Sequence, residues 1–513
     1  MGSFNRNSMD LIEIPDGKCG LSVKKTLCSV KYSPISCLIY FIYYFYVKIS
    51  RLVILNRTIM LIRFSVENLF SFGERKEFTM IPNKRLRTLH HHKYNENGFE
   101  ILKLASIYGA NGSGKSNFIK SINLFKEFVI GKTSIIEIKE TRFKFNEDSK
   151  DSKQILAIEF IQDSVPFYYA IEINGTRIAT EELYLSGLGV RKDELIFERT
   201  SNTDNKTDIV FSREFEKDET VEMFKSVIKD FVNAGEPILK LLSKRDNKFL
   251  ANTKSAYKWF DETLQIIRPN SKPTPLAHKI DVDKEFKSYA KDLMCSFNLG
   301  ITDLVSETKE IHEYFGEDNN NELNEIVSDL VENPFHIIGM RSSNGDEFNI
   351  VNEKDKIVVK TLRVGHKGKD DKKVLFDIKE ESDGTVRLLD FVQAFQRVIS
   401  SKKVYVIDEI ERSIHPLLIK ELVQKFSLDE NTKGQMIFST HESNLLDQAI
   451  FRLDEIWFTE KNRDGATDLY SLSDFKEHKT IDIQKGYLNG RYGSIPFLGN
   501  LQDLNWHDYD TSE

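Results

Sequence analysis

Gly109-Ala110-Asn111-Gly112-Ser113-Gly114-Lys115-Ser116 is the stretch that decides how this sequence is read. It meets the pattern Gly-x-x-x-x-Gly-Lys-Ser/Thr at every fixed position. An apolar run, Ile101 to Tyr108, precedes it and reads as a strand. Asn117 to Ile130 follows, with Phe118, Ile122, Phe125 and Val129 at helical spacing. The pattern is specific in this strand–loop–helix setting. Its glycines let backbone N–H groups turn inward around phosphate oxygens, and the helix start adds partial positive charge. Gly109, Asn111, Gly112, Ser113, Gly114, Lys115, Ser116 and Asn117 are therefore expected to hold ATP. Lys115 would reach the β- and γ-phosphates, and the Ser116 hydroxyl would ligate Mg²⁺.

Further along, Val404-Tyr405-Val406-Ile407 is apolar and ends in Asp408-Glu409. A carboxylate at the carboxyl end of a buried strand, beside a phosphate cradle, is placed for the metal, so Asp408 is expected there. Glu409, one residue on, is suited to polarise the attacking water. Alone, the pair reads as a solvated strand end; the phosphate loop gives it meaning. Lys115 and Asp408 lie 293 positions apart, a gap that small GTP-binding switches do not leave. Just upstream, Ser382 is a candidate N-cap for a helix over 385–399, whose start is a second anion site. Downstream, Met436-Ile437-Phe438-Ser439 runs into Thr440-His441. A histidine at the end of a core strand is a candidate sensor of the γ-phosphate.

The whole chain of 513 residues suits about two to four domains. Hydrophobic residues at 40% and charged residues at 29% fit a globular protein and exclude a disordered one. A net charge of −7 argues against a globally basic protein that coats nucleic acid, and leaves room for a local basic groove. Four cysteines exclude a disulfide scaffold. Three of them, Cys19, Cys28 and Cys37, precede Met60, as does the mostly apolar 13-residue run Ile35 to Val47. That run is too short to span a bilayer, which needs about 20 residues. Residues 1–59 are read as an atypical extension outside the fold, with a membrane-surface segment as the rival reading. The remaining chain, with Cys295 alone, suits a reducing cytoplasm.

Leu61 to Leu69 alternates apolar and polar residues as a strand does, and 155–160 with 167–173 reads as a hairpin. Charged segments with helical spacing fill 212–345. Strands are expected at 356–364, 373–378, 403–407 and 435–439, with helices over 385–399, over 416–426 and after 439. The expected organisation is an N-terminal part of an ATPase head over 60–211, a mostly helical insertion over 212–345 and a C-terminal part of the head over 346–513. Strand–helix alternation predicts an α/β fold with a mostly parallel core sheet, plus an antiparallel β-subdomain.

In this order of motifs the sequence resembles the ABC-type ATPase heads of SMC and RecF proteins. More narrowly, it resembles the AAA-type ATPases of bacterial abortive-infection and anti-phage loci, the RloA/AbiL-like group, from Met60 to about Gly499. The residues that carry this are Asn68 to Phe72, the loop 109–116, Glu380 to Thr385, Asp408 to Pro416, Ser439 to Leu446, Asp454 to Phe458 and Gly490 to Pro496. The resemblance implies a homodimer of heads, open to higher assembly, with each ATP between loop 109–116 of one chain and Ser382 and Gly384 of the other. It implies hydrolysis at Glu409, His441 as switch, and a protein effector, a nuclease of RloB or Toprim type. The rival is a DNA-repair ATPase that binds nucleic acid directly; a transporter subunit fits the fold but not the C-terminal blocks. The chain departs from the general pattern in its Ser-Asp-Gly-Thr signature. It also lacks a clear coupling glutamine, for which Gln154 and Arg142 to Phe145 are the candidates. His90-His91-His92 reads as a solvated loop rather than a metal tract, the basic clusters 244–248 and 367–373 as exposed loops, and Trp457 as core.

Overall fold

The apolar stretches around the phosphate loop assemble into one six-stranded sheet. Its elements are β1 (Leu104–Tyr108), α1 (Lys115–Val129), β2 (Leu264–Ile267), α2 (Asp383–Ser400), β3 (Val404–Ile407), α3 (Pro416–Leu428), β4 (Gln435–Ser439), β5 (Ile456–Lys461) and β6 (Thr467–Ser471). The strand order is β2-β3-β4-β1-β5-β6, parallel throughout except for β6. This computed structural model describes residues 58–145, 152–269, 271, 275–316, 321–341, 347–475 and 482–495. The reading of 1–59 as an extension lies outside them apart from Thr58 and Ile59, as does Pro496.

The strands read as unbroken apolar runs because both faces of the sheet are covered. Ala105, Ile107, Val404, Val406, Ile437 and Trp457 enter one core, with Phe118 and Phe125 of α1. Leu104, Tyr108, Tyr405, Ile407, Met436, Phe438, Ile456 and Phe458 enter the other, with Leu388 and Val392 of α2 and Ile419 of α3. Trp457 is core, as expected. The α/β class with a mostly parallel core is thus what the chain forms.

The antiparallel subdomain is a seven-stranded sheet whose centre is Arg177–Leu185, Val165–Asn174, Gln154–Gln162 and Met60–Glu67. It closes over α1, where Phe118 meets Phe64 edge-on at 5.7 Å. The hairpin turn is tighter than expected, two residues only, Asp163 and Ser164, both with positive φ. Such a turn matches the twist of its strands.

Three expectations need correction. First, Ile101 to Tyr108 is two strands, Phe99–Leu102 and β1. The break is Lys103, whose buried ammonium donates to the carbonyl of Asp429 at 2.8 Å, just past the end of α3. Second, 212–345 is mostly helical in its described residues, with Val221–Phe231 and Lys284–Ser296 among its helices, yet it is not a self-contained insertion, because it also supplies β2 to the core sheet. Ile301–Glu310 and Ile337–Arg341 join Glu347–Glu353, Lys356–Lys367 and Lys373–Asp377 in a further antiparallel sheet, so the boundary at 345 cuts a hairpin. Ile301–Glu310 buries only Ile301 and Leu304, too little apolar alternation to be read as a strand. Third, no helix follows Ser439 directly; the chain makes short 3-10 turns at Ser443–Leu445 and Leu453–Glu455 before β5. Among the described residues, no helix is long and apolar enough to cross a membrane.

Candidate active site

Loop 109–116 joins β1 to α1. Gly114 caps the helix with φ 117°, a left-handed conformation that favours glycine, and a side chain there would run into Thr467. The loop is fastened from below. The Ser113 and Thr459 hydroxyls meet at 2.7 Å. The Thr467 hydroxyl lies 2.9 Å from the Ser113 carbonyl and 2.8 Å from the Ser71 hydroxyl. The block Asn68 to Phe72 thus acts as part of the floor under the cradle.

Lys115 is buried, 4% exposed. Its ammonium donates to the carbonyls of Gly109 at 2.7 Å and Ala110 at 3.0 Å, and stands 3.4 Å from Nδ1 of His441. Burial lowers its pKa to about 8, against the pull of Glu411, Asp408 and Glu409. This cation is held ready at low dielectric for an anion.

Asp408 sits where β3 ends. The Ser116 hydroxyl donates to its Oδ1 at 3.1 Å and the Ser439 hydroxyl at 2.6 Å, while no hydrogen bond engages Oδ2 among the described residues. One hydroxyl, one carboxylate with a free oxygen, and a phosphate cradle beside them fit Mg²⁺, which takes few protein oxygens and completes its shell from water and phosphate. The Glu409 N–H donates to the same Ser439 hydroxyl at 2.9 Å. Glu409 has φ 50°, a left-handed backbone that costs a non-glycine residue about 1–3 kcal/mol and tends to be kept where it aims a functional group.

His441 follows β4. Its N–H donates to Oε1 of Glu411 at 2.5 Å. Desolvation of its ring, then the Lys115 ammonium, push its pKa down to about 4, so the ring is a neutral imidazole at ordinary pH. Glu411 has its carboxyl pKa raised by burial, which the His441 N–H opposes. The sequence pointed to neither Glu411 nor Ser439 as a site residue. The only available signal for Glu411 was its place three residues after Asp408, and for Ser439 its place just before Thr440-His441.

Ser382 caps α2, its hydroxyl accepting the Thr385 N–H at 3.1 Å. It is exposed, and no hydrogen bond joins it to loop 109–116 among the described residues. A Cβ on Gly384 would lie 2.6 Å from the Ser413 carbonyl oxygen, so this helix start is pressed against the loop that follows Asp408. The fold therefore gathers Lys115, Ser116, Asp408, Glu409 and His441 in one place and leaves Ser382 and Gly384 outside the hydrogen bonds of the cradle. Gln154, a candidate coupling residue, is buried and donates to the Ile138 carbonyl at 2.9 Å, a fixed structural link.

The reading of His90 to His92 as a solvated loop is overturned for His92. It is fully buried, with Nδ1 2.9 Å from both carboxyl oxygens of Glu455. Arg452 grips Asp454 through Nε at 2.9 Å and Nη2 at 2.8 Å. The block Asp454 to Phe458 is therefore an internal anchor. Among the described residues, no group of three or more His, Cys, Asp or Glu is arranged to hold a metal. In the basic cluster 367–373, Lys367 pairs with Asp371 and Lys373 with Asp303, which agrees with an exposed loop.

A profile of the family described as "AAA domain, putative AbiEii toxin, Type IV TA system" matches residues 104–447. No curated protein matches the chain. Similar solved structures include an SMC head bound to the C-terminal winged-helix domain of ScpA, at 14% identity over 80% of this chain and 97% of that one, TM-score 0.36. The SMC head domain from Thermotoga maritima is 11% identical over 80% and 98%, TM-score 0.35. An Smc head with an extended coiled coil, bound to the C-terminal domain of ScpA derived from Pyrococcus furiosus, is 12% identical over 81% and 96%, TM-score 0.35.

Proposed function

The chain belongs to that AAA-domain family, and on this premise we propose that it is an ATP hydrolase of ABC type, dependent on Mg²⁺ and working as a homodimer of heads. The observation that carries the reading is the meeting of a buried cation, a hydroxyl–carboxylate pair and a switch histidine from three separate stretches of chain. Lys115 with loop 109–116 binds the triphosphate. Ser116 and Asp408 would hold Mg²⁺, which offsets phosphate charge. Glu409 accepts the proton of the attacking water, and the neutral His441 orients the γ-phosphate. Ser382, exposed at the start of α2, and the half-buried Gly384 would close over the ATP of a second copy. The exposure of Ser382, and its lack of hydrogen bonds to its own cradle, support that reading.

We place the protein in bacterial anti-phage defence, near the RloA- and AbiL-like ATPases, in the cytoplasm. There ATP-driven closure would regulate an effector of RloB or Toprim nuclease type. The family description, which names a toxin and a toxin–antitoxin system, supports this.

The test is ATP binding, turnover and molecular mass for two variants of the full chain. Lys115→Ala is expected to lose ATP binding. Glu409→Gln is expected to bind ATP, turn it over about 10²- to 10⁴-fold more slowly and accumulate as a dimer. Parent-like turnover in both would contradict the assignment. Co-purification with the products of neighbouring genes tests the effector: a nuclease supports defence, whereas salt-sensitive DNA binding by the ATPase alone would favour the repair reading.

A further inference from the structure

We propose that Glu411 is a positioning residue for hydrolysis, clamping the Glu409 loop to the switch strand through the backbone of His441; this rests on the ATPase reading above.

The geometry is a double staple. Asp408 and Glu411 flank Glu409, and each reaches across to the end of β4. Asp408 takes the Ser439 hydroxyl at 2.6 Å, and Glu411 takes the His441 N–H at 2.5 Å. Between them, the strained Glu409 N–H is tied to that same Ser439 hydroxyl, and the Ile410 N–H donates to the Ser439 carbonyl at 3.2 Å. Four contacts thus bind one short loop to one strand end. Only the Glu411 contact sits at the switch histidine, whose ring stands 3.4 Å from Lys115. Without it, the loop is still tied to Ser439, but nothing in that set of contacts fixes His441 relative to Glu409.

A second observation points the same way. Beside the His441 N–H, the Thr440 side chain also favours the charged form of the Glu411 carboxyl against its burial, so the groups that hold this carboxyl come from the segment that follows β4. Glu411, with Asp408 and Glu409, also acts as an opposite charge on Lys115, so it belongs electrostatically to the nucleotide site.

Turnover and ATP affinity of the full chain test this with three variants beside Glu409→Gln. Misplacement of a catalytic group by about 1 Å can cost about 10²-fold in rate. Glu411→Ala is expected to lower kcat by about that factor, with KM within about threefold of the parent. Glu411→Gln keeps an oxygen that accepts the His441 N–H and should stay within about fivefold of the parent. Glu411→Asp keeps the charge but loses reach, so its kcat should fall toward that of the alanine variant. That pattern also serves if Glu411→Ala fails to fold. A parent-like aspartate variant with an impaired glutamine variant would make the role one of charge and overturn the clamp. Parent-like kcat in Glu411→Ala, with Glu409→Gln inactive, would overturn the clamp and leave the ATPase reading standing. A fully active Glu409→Gln would overturn both.

Discussion

Two helix starts in this molecule offer backbone N–H groups to an anion, and they are built in opposite ways. The start of α1 is braced from within: Ser113 is 3% and Lys115 4% exposed, the hydroxyls of Thr459 and Thr467 pin the loop in front of it, and Ser71 holds Thr467. The start of α2 is open. Ser382 and Asp383 are exposed, and the hydrogen bonds of Ser382 go to Thr385 within its own first turn. Both ends carry the same dipole, so the dipole does not separate them. What separates them is that one gathers Lys115, Ser116, Asp408 and His441 around it, whereas the other has an N-cap alone. The contrast argues for one nearly complete site and one surface made for another chain.

The largest effect that would sharpen the contrast is expected from Ser382→Arg. A bulky cation at the open helix start should block closure by a mate and cut turnover by about 10²-fold or more, the scale of losing preorganised donors to a charged transition state. ATP binding to the isolated chain, followed by equilibrium titration, should stay as in the parent. A loss of binding equal to the loss of turnover would mean that Ser382 serves its own cradle.

Gly384→Ala tests the other side of this helix start. The new methyl would lie 2.6 Å from the Ser413 carbonyl oxygen, so a backbone segment must shift. The expected cost is about 1–3 kcal/mol of stability, read from denaturant unfolding, with the Asp408 loop displaced along with it. An unchanged midpoint would show that α2 and the Asp408 loop are not rigidly joined.

The smallest effect concerns pH. With its pKa depressed from 6.5 to about 4, His441 keeps its neutral ring as pH falls through 6.5 and gains a proton only near 4. On its account turnover should be flat between pH 5 and 8, with the acid limb near 4. The same sign applies to stability: the folded state binds this proton less readily than the unfolded chain, so the His441 contribution is intact above 6.5 and declines as pH falls toward 4. An acid limb near 6.5 that His441→Gln removes would contradict the neutral ring beside Lys115.

The cradle was legible because its chemistry is contiguous: eight adjacent residues, a strand before and a helix after. Asp408 and Glu409 were legible because an unbroken apolar strand ends on them. Thr459 and Thr467 were not, because a hydroxyl in a strand becomes a brace only when the fold brings it against Ser113 from hundreds of positions away, and Ser71 acts only through Thr467. Glu411 was hidden for the same reason, since its partner is a backbone N–H that has no sequence signature. His92 misled because a histidine run among charged residues looks solvated, whereas its ring is buried against Glu455, 363 positions away. The strand Ile301–Glu310 was missed since only two of its side chains are buried. Contiguous patterns survive in one dimension; braces, staples and half-exposed strands exist only once the sheets have formed.

The central claim is that each ATP is shared by two chains, and mixing two inactive variants tests it most directly. Lys115→Ala lacks a working cradle but keeps Ser382; Ser382→Arg lacks the capping helix start but keeps Lys115. Mixed in equal amounts, they should form heterodimers with one intact composite site, and ATP turnover absent from either alone should appear. A mixture as inactive as its components, at concentrations where the parent dimerises, would contradict the account.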